Sequence, residues 1–200
     1  MSLHADAVAV LTAWAPPSPA QAALRDRYVA HLRDRPDGLS RGCRPDHLTA
    51  STLVLSADGS RALLTLHAKA RAWFQFGGHC EPGDGTLVAA AAREATEESG
   101  LDGLVLDPVP VQLSEHPVPF CGPDGDVHHL DVRFLAVAPP SGLHAVSEES
   151  LDVRWWPLDA LPDPGSDLVE LVALGRARLA QSPSKPGGRS ILAAADQPCR

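Results

Sequence analysis

No stretch of the 200-residue sequence approaches the roughly 20 consecutive apolar residues of a bilayer-spanning helix, so a helical membrane protein is excluded. Positive charge is scarce: 17 Lys and Arg face 25 Asp and Glu, a formal net charge of −8. That argues against a chain held to nucleic acid by phosphate contacts, which need a basic surface. A small anionic substrate stays compatible if a metal ion screens the charge. Cys43, Cys80, Cys121 and Cys199 are the cysteines, and no two stand in a C-x-x-C spacing, so a zinc ribbon or thioredoxin-like site is unsupported. So few cysteines in a chain this long imply reduced thiols and a cytoplasmic location. Lys69 and Lys185 are the lysines and Ile191 the one isoleucine, a skew of genome composition with no functional weight. The apolar run 7–15 ends in Ala13-Trp14-Ala15 and imitates a signal peptide. No Lys or Arg precedes it, and His4 and Asp6 stand in their place, so it reads as a helix.

What is present suggests one domain with extensions, long enough to bury a core. Leu3, Ala7, Val10, Leu11 and Trp14 form one helical stripe, ended by Pro16-Pro17. Ser18-Pro19-Ala20-Gln21 opens a second helix as a capping box, and Leu24, Tyr28 and Leu32 continue it to Arg35. Residues 3–35 are therefore predicted to be a helical hairpin, read as a packing cover in preference to a dimer surface or lid. Residues 51–56 and 61–67 read as strands joined by an Asp-Gly turn, followed by an extended piece at 72–76 and a glycine-rich loop. A helix is expected from about Thr86 to Ser99, stopped by Gly100, then strands at 105–113, 129–138 and 153–156 and one helical turn at 158–161. Asp167 to Glu170 reads as a capping box for a last helix to about Ala180. The boundaries expected are a helical extension at 1–45, a main domain at 46–181 and a disordered tail at 182–200. Strands and helices mix without strict alternation, which favours a mixed α/β sandwich over a doubly wound sheet.

The chemistry concentrates between Gly77 and Leu101. Glu94, Glu97 and Glu98 stand at i, i+3 and i+4, so their carboxylates share one helix face. Like charges so placed destabilise a helix by about 0.2–0.5 kcal/mol per pair. Arg93 can pair with Glu97 but cannot neutralise three carboxylates. A hard divalent cation can, and Mg²⁺ takes oxygen ligands of this kind together with substrate phosphates. Gly77-Gly78 permits close backbone approach and offers a carbonyl as a further ligand. Glutamates beside an arginine are ordinarily a solvated helix face. The glycine pair, acidic turn and terminating glycine set this helix apart.

The segment 78–101 resembles the Nudix box. Gly78, Arg93, Glu94, Ala95, Glu97, Glu98, Gly100 and Leu101 match its pattern. Asp84 stands where the family has Glu, and one extra residue separates it from Arg93. Inside the helix that residue would rotate everything after it by ~100°; it is placed before the helix, at Gly85. The resemblance implies an α/β/α sandwich with a mixed sheet, here carrying the additional N-terminal hairpin. It further implies hydrolysis of a diphosphate linkage in a nucleoside diphosphate-X type substrate with Mg²⁺, for which Mn²⁺ can substitute. Carried over by position, Glu97 and Glu98 are metal ligands, Glu94 is a third ligand or a candidate base, the Gly78 carbonyl is a candidate ligand, and Arg93 orients the glutamates. A later loop often supplies a further Glu, and Glu148 and Glu149 occupy such a loop. The alternative to an enzyme is a non-hydrolytic Nudix-like module that senses a nucleotide or binds a protein.

Other residues carry weaker signals. His79 and Cys80 adjoin the glycine pair and could touch substrate, Glu81 could reach a second metal, and Lys69 and Arg71 lie near the expected phosphate path. Trp73 or Phe74 could stack on a base. His116, His128, His129 and Cys121 flank a proline-rich loop and could be imagined as a zinc cluster. Strand-edge histidines are commoner, and zinc is not assigned. The expected partner is a small phosphorylated molecule, not nucleic acid or membrane, with a homodimer open.

Overall fold

The computed structural model describes residues 1–119, 121, 127–140, 144–146, 150–162 and 165–181. The tail expected to be disordered, and Glu148 and Glu149, lie outside these residues.

Helices α1 (Leu3–Ala13) and α2 (Pro19–Asp34) form the hairpin, with Ser18 as the α2 N-cap. The Gln21 side chain does not serve the capping box expected of it. It is buried against the edge strand, accepting from Leu113 N–H at 2.7 Å and donating to the Leu113 carbonyl at 2.9 Å. It thus supplies the donor and acceptor that a neighbouring strand would supply.

Among the described residues seven strands follow: β1 (Asp46–Leu55), β2 (Arg61–His67), β3 (Trp73–Phe74), β4 (Phe76–His79), β5 (Val105–Pro117), β6 (His128–Val137) and β7 (Ser150–Pro157). They interleave with α3 (Leu87–Ser99) and α4 (Ser166–Gln181). The order β3-β2-β1-β6-β5 places β1 at the centre, parallel to β6 over its whole length. The other edge of β1 is divided. Its middle, Thr49 to Thr52, pairs with β4, and its end, Val54 and Leu55, pairs with β2.

Strand alternation sorts the layers. Leu48, Ala50, Leu130, Val132 and Phe134 pack with Ala7, Leu11, Tyr28 and Leu32 of the hairpin and Leu87, Ala90 and Ala91 of α3. Leu53, Leu55 and Leu135 face the other way, onto Leu168, Leu171 and Val172 of α4. The result is an α/β/α sandwich with a mixed sheet. Leu11 and Leu32 are fully buried, each a contribution of about 1.5–3 kcal/mol that ties the hairpin to the core. Gly175 lets α4 come close, since a Cβ there would lie 2.7 Å from Leu53 Cδ2.

Four local expectations are corrected. β1 begins at Asp46, because pairing with β6 extends the strand through its polar start. The single piece expected at 72–76 divides into β3 and β4, and Gly77-Gly78 is strand rather than loop, paired with Ser51 and Ala50. Residues 158–160 form turns, not helix. Asp167 and Glu170 bond to Ser114 and Gln112 on β5 instead of closing a capping box.

Candidate functional site

The α3 helix begins at Thr86, whose Oγ1 accepts from Ala89 N–H at 3.1 Å, and ends at Gly100 with φ 67°. Gly85 therefore lies ahead of the helix, and the inserted residue leaves its face undisturbed. The hairpin helps hold the helix start: Asp6 of α1 accepts from Leu87 N–H at 2.8 Å. A carboxylate here also complements the positive end of the helix dipole.

Arg93 organises the face. Its Nε and Nη2 donate to Asp84 Oδ1 and Oδ2 at 3.2 and 3.1 Å, and Nη2 also donates to the His79 carbonyl at 3.0 Å. Its Nη1 donates to Glu94 at 3.1 Å and Glu97 at 3.0 Å. Burial would raise the Asp84 carboxyl, but the Arg93 and Glu81 N–H hydrogen bonds and the Arg93 charge hold it below the ordinary value. The shorter aspartate, reaching from a turn one residue longer, thus meets the arginine bidentately. Glu81 stays exposed, 3.9 Å from Arg93.

Gly78 lies against the next carboxylate, where a Cβ would sit 2.7 Å from Glu94 Oε1. Gly77 crosses Ser51 so closely that a Cβ would stand 2.2 Å from Ser51 Cβ, and its N–H donates to Glu98 Oε2 at 3.3 Å. The Glu94, Glu97 and Glu98 carboxylates and the Gly78 carbonyl would together offer an all-oxygen donor set of the kind hard divalent cations take, while here Glu94 and Glu97 stand on Arg93 and Glu98 on the Gly77 N–H.

Of these residues Gly77, Gly78 and Glu98 line a cavity of about 370 Å³, together with Trp73 and Phe74. Its lining includes polar residues of the sheet, Thr49, Ser51, Asp131 and Arg133, beside Asp167 at the start of α4. Asp131 accepts from Thr49 at 3.0 Å, Ser51 at 2.7 Å and Arg133 Nε at 2.9 Å. Arg133 also bonds to Gln112 at 2.9 Å and Asp167 at 2.7 Å. Although burial opposes it, Asp131 is held ionised by Arg133, His116 and Ser51. This network was missed in the sequence, where Asp131 and Arg133 are an ordinary alternating pair. Lys69 is exposed in the turn after β2 and does not line the cavity.

His79 points elsewhere. With His47, Cys121 and His129 it forms a group whose ligand atoms all lie within 4.8 Å of one another. Burial, then the neighbouring His47 and Arg41, lowers His79 to about 4. Burial and the surrounding histidines lower His129 to about 3, so both rings are neutral at pH 7. Of the four residues that the sequence suggests as a cluster, Cys121 and His129 belong to this group and His116 and His128 do not. His128 pairs with Asp46 at 3.3 Å, and His116 packs beside His129 with ring centroids 5.7 Å apart.

Taken together, the three-layer sandwich, the divided sheet edge and the arginine-bound glutamate helix beside a cavity define a Nudix-type domain. The chain belongs to the Nudix family: the model of the NUDIX domain matches residues 45–173. Among solved structures it is similar to a NUDIX-family hydrolase from Clostridium perfringens, with 22% identity, 68% of this chain and 98% of that one covered, and a TM-score of 0.53. An Ap4A hydrolase from C. elegans shares 19% identity over 66% of this chain and 97% of its own, with a TM-score of 0.56. The NUDIX domain of Shewanella oneidensis NrtR, complexed with ADP ribose, shares 18% identity over 70% and 92%, with a TM-score of 0.53. No curated protein matches the sequence. Among the described residues, no helix is long and apolar enough to cross a membrane.

Proposed function

We propose that the chain hydrolyses a phosphoanhydride bond in a nucleoside diphosphate-X type substrate, with Mg²⁺ as cofactor and Mn²⁺ as a substitute. The observation that carries this reading is the binding of Arg93 to Asp84, Glu94 and Glu97 beside a cavity that Glu98, Gly77 and Gly78 line. A volume of about 370 Å³ falls among small-molecule sites of roughly 300–1,000 Å³. Trp73 and Phe74 offer faces on which a base stacks. Glu94, Glu97, Glu98 and the Gly78 carbonyl would hold the ion. An ion held there would supply charge neutralisation at the phosphate oxygens and a lowered pKa for the attacking water.

A Glu94 carboxylate oxygen not taken up by the ion would accept that water's proton as the water oxygen bonds to phosphorus and the bridging P–O bond breaks, its electron pair leaving with the departing phosphate. Arg93 holds Glu94 and Glu97 against their mutual repulsion. Ap4A and ADP ribose, named for two of the similar structures, each join a phosphate chain to a second group, which supports the X class for this chain. The net charge of −8 and three free thiols, Cys43, Cys80 and Cys121, support a small-molecule substrate and a reducing, cytoplasmic setting. The test is phosphate or monophosphate release from a panel of nucleoside di- and triphosphate compounds, with and without Mg²⁺. Mg²⁺-dependent turnover of at least one compound is expected. Saturable binding without turnover would instead favour the sensing module.

A further inference from the structure

A second cluster, distinct from the glutamate helix, lies where β1, β4 and β6 meet. His47 comes from β1, His79 from the end of β4 and His129 from β6, directly beside His47 in the parallel register. Cys121 comes from the segment after β5. Its Sγ lies 3.3 Å from His79 Nε2, 3.3 Å from His129 Nε2 and 3.9 Å from His47 Nε2. The three rings form a near-equilateral triangle, with centroid separations of 5.1, 4.9 and 5.0 Å.

We propose that His47, His79, Cys121 and His129 bind a zinc-type transition metal ion in a tetrahedral, four-ligand site. With Zn–N of about 2.05 Å and Zn–S of about 2.3 Å, a tetrahedron has N···S edges of about 3.6 Å. The three separations from the sulfur bracket that value. The ligands are preset by their surroundings. His47 Nδ1 lies 3.1 Å from the Cys43 carbonyl, which as acceptor fixes the proton on Nδ1 and leaves the Nε2 lone pair facing the sulfur. The Cys121 backbone is held twice, by its own N–H to the Val118 carbonyl at 2.9 Å and by Arg44 Nη2 to its carbonyl at 3.2 Å.

Imidazole and thiolate suit zinc and exclude magnesium, so this site and the all-oxygen glutamate face select different ions. Binding forms the metal–sulfur bond and releases the thiol proton to solvent. Four protein ligands leave no open position, which marks a structural site. Its consequence reaches the glutamate helix, because His79 also gives its carbonyl to Arg93 at 3.0 Å. The metal would therefore anchor the segment after β5 and the strand on which Arg93 leans.

The experiment measures the metal content of the full chain and the absorption spectrum of its cobalt-loaded form. About one zinc per chain is expected after zinc-supplemented growth and exhaustive dialysis. The cobalt form should show intense tetrahedral d–d bands and a thiolate-to-cobalt charge-transfer band. Cys121→Ser should abolish the charge-transfer band. Cys121→Ser and His79→Gln should each lower retained zinc at least about tenfold. Glu97→Gln should leave zinc content unchanged. Two outcomes overturn the proposal: folded wild-type protein that holds no zinc after reconstitution, or a cobalt form without a thiolate band. Because the wild-type spectrum decides alone, misfolding of a variant does not protect the idea.

Discussion

Arg93 and Asp84 face each other through two parallel hydrogen bonds, Nε to Oδ1 at 3.2 Å and Nη2 to Oδ2 at 3.1 Å. This fork compensates for both departures from the family pattern, the shorter acid and the added residue. Charge-assisted bonds contribute about 1.5–3 kcal/mol, so Asp84→Asn is expected to cost about 2 kcal/mol at neutral pH. The sign with pH follows from the depressed Asp84 carboxyl. Its contribution is complete above the ordinary carboxylate pKa and is lost as pH falls through the lower, folded value. Urea unfolding at neutral and acidic pH should therefore show the two proteins converging in acid.

Gly78→Ala separates positioning from folding. The added Cβ meets the end of the Glu94 side chain, not backbone, so the fold should lose less than about 1 kcal/mol. Glu94 must turn away, and activity should fall at least about tenfold. A thermal melt beside a rate measurement checks both halves.

Asp6 connects the N-terminal hairpin to the glutamate helix through Leu87 N–H. Its removal in Asp6→Ala deprives α3 of a capping acceptor, at a cost of about 1 kcal/mol. In a chain of this size that corresponds to a Tm lowered by about 2–4 °C, read by calorimetry or circular dichroism.

Arg133 and Asp131 are both almost wholly buried beneath the cavity. Arg133→Met leaves the carboxylate with only the Thr49 and Ser51 hydroxyls and the Gln75 amide, and about 3–5 kcal/mol should be lost. Adding Asp131→Asn removes the stranded charge and should recover part of the loss. A double-mutant cycle in urea measures that recovery.

The glutamate helix was legible because everything that builds it is local: Thr86 caps it, Gly100 stops it, and i, i+3, i+4 spacing sets its face. The start of β1 was not, since Asp46 and His47 look like loop until ten residues of β6 pair with them. The same long-range register explains why the sequence suggested only Cys121 and His129 of the histidine–cysteine group and not His47 or His79. His47 and His129 are neighbours only through parallel pairing, and His79 joins them only because β4 shares an edge of β1. No spacing rule links positions 47, 79, 121 and 129. The periodic stripe made Ala7, Leu11, Tyr28 and Leu32 legible as the apolar face that is buried here, while the role of Gln21 at the β5 edge depended on a contact 92 residues away.

The central claim is that the Arg93-organised glutamates hold a hard metal for hydrolysis, and the most direct measurement is the rate of Glu97→Gln against wild type on a turned-over substrate at saturating Mg²⁺. Loss of a ligating charge should lower kcat/KM by roughly two orders of magnitude or more while the melting temperature barely moves. An unchanged rate in a variant whose substitution is verified would contradict the account.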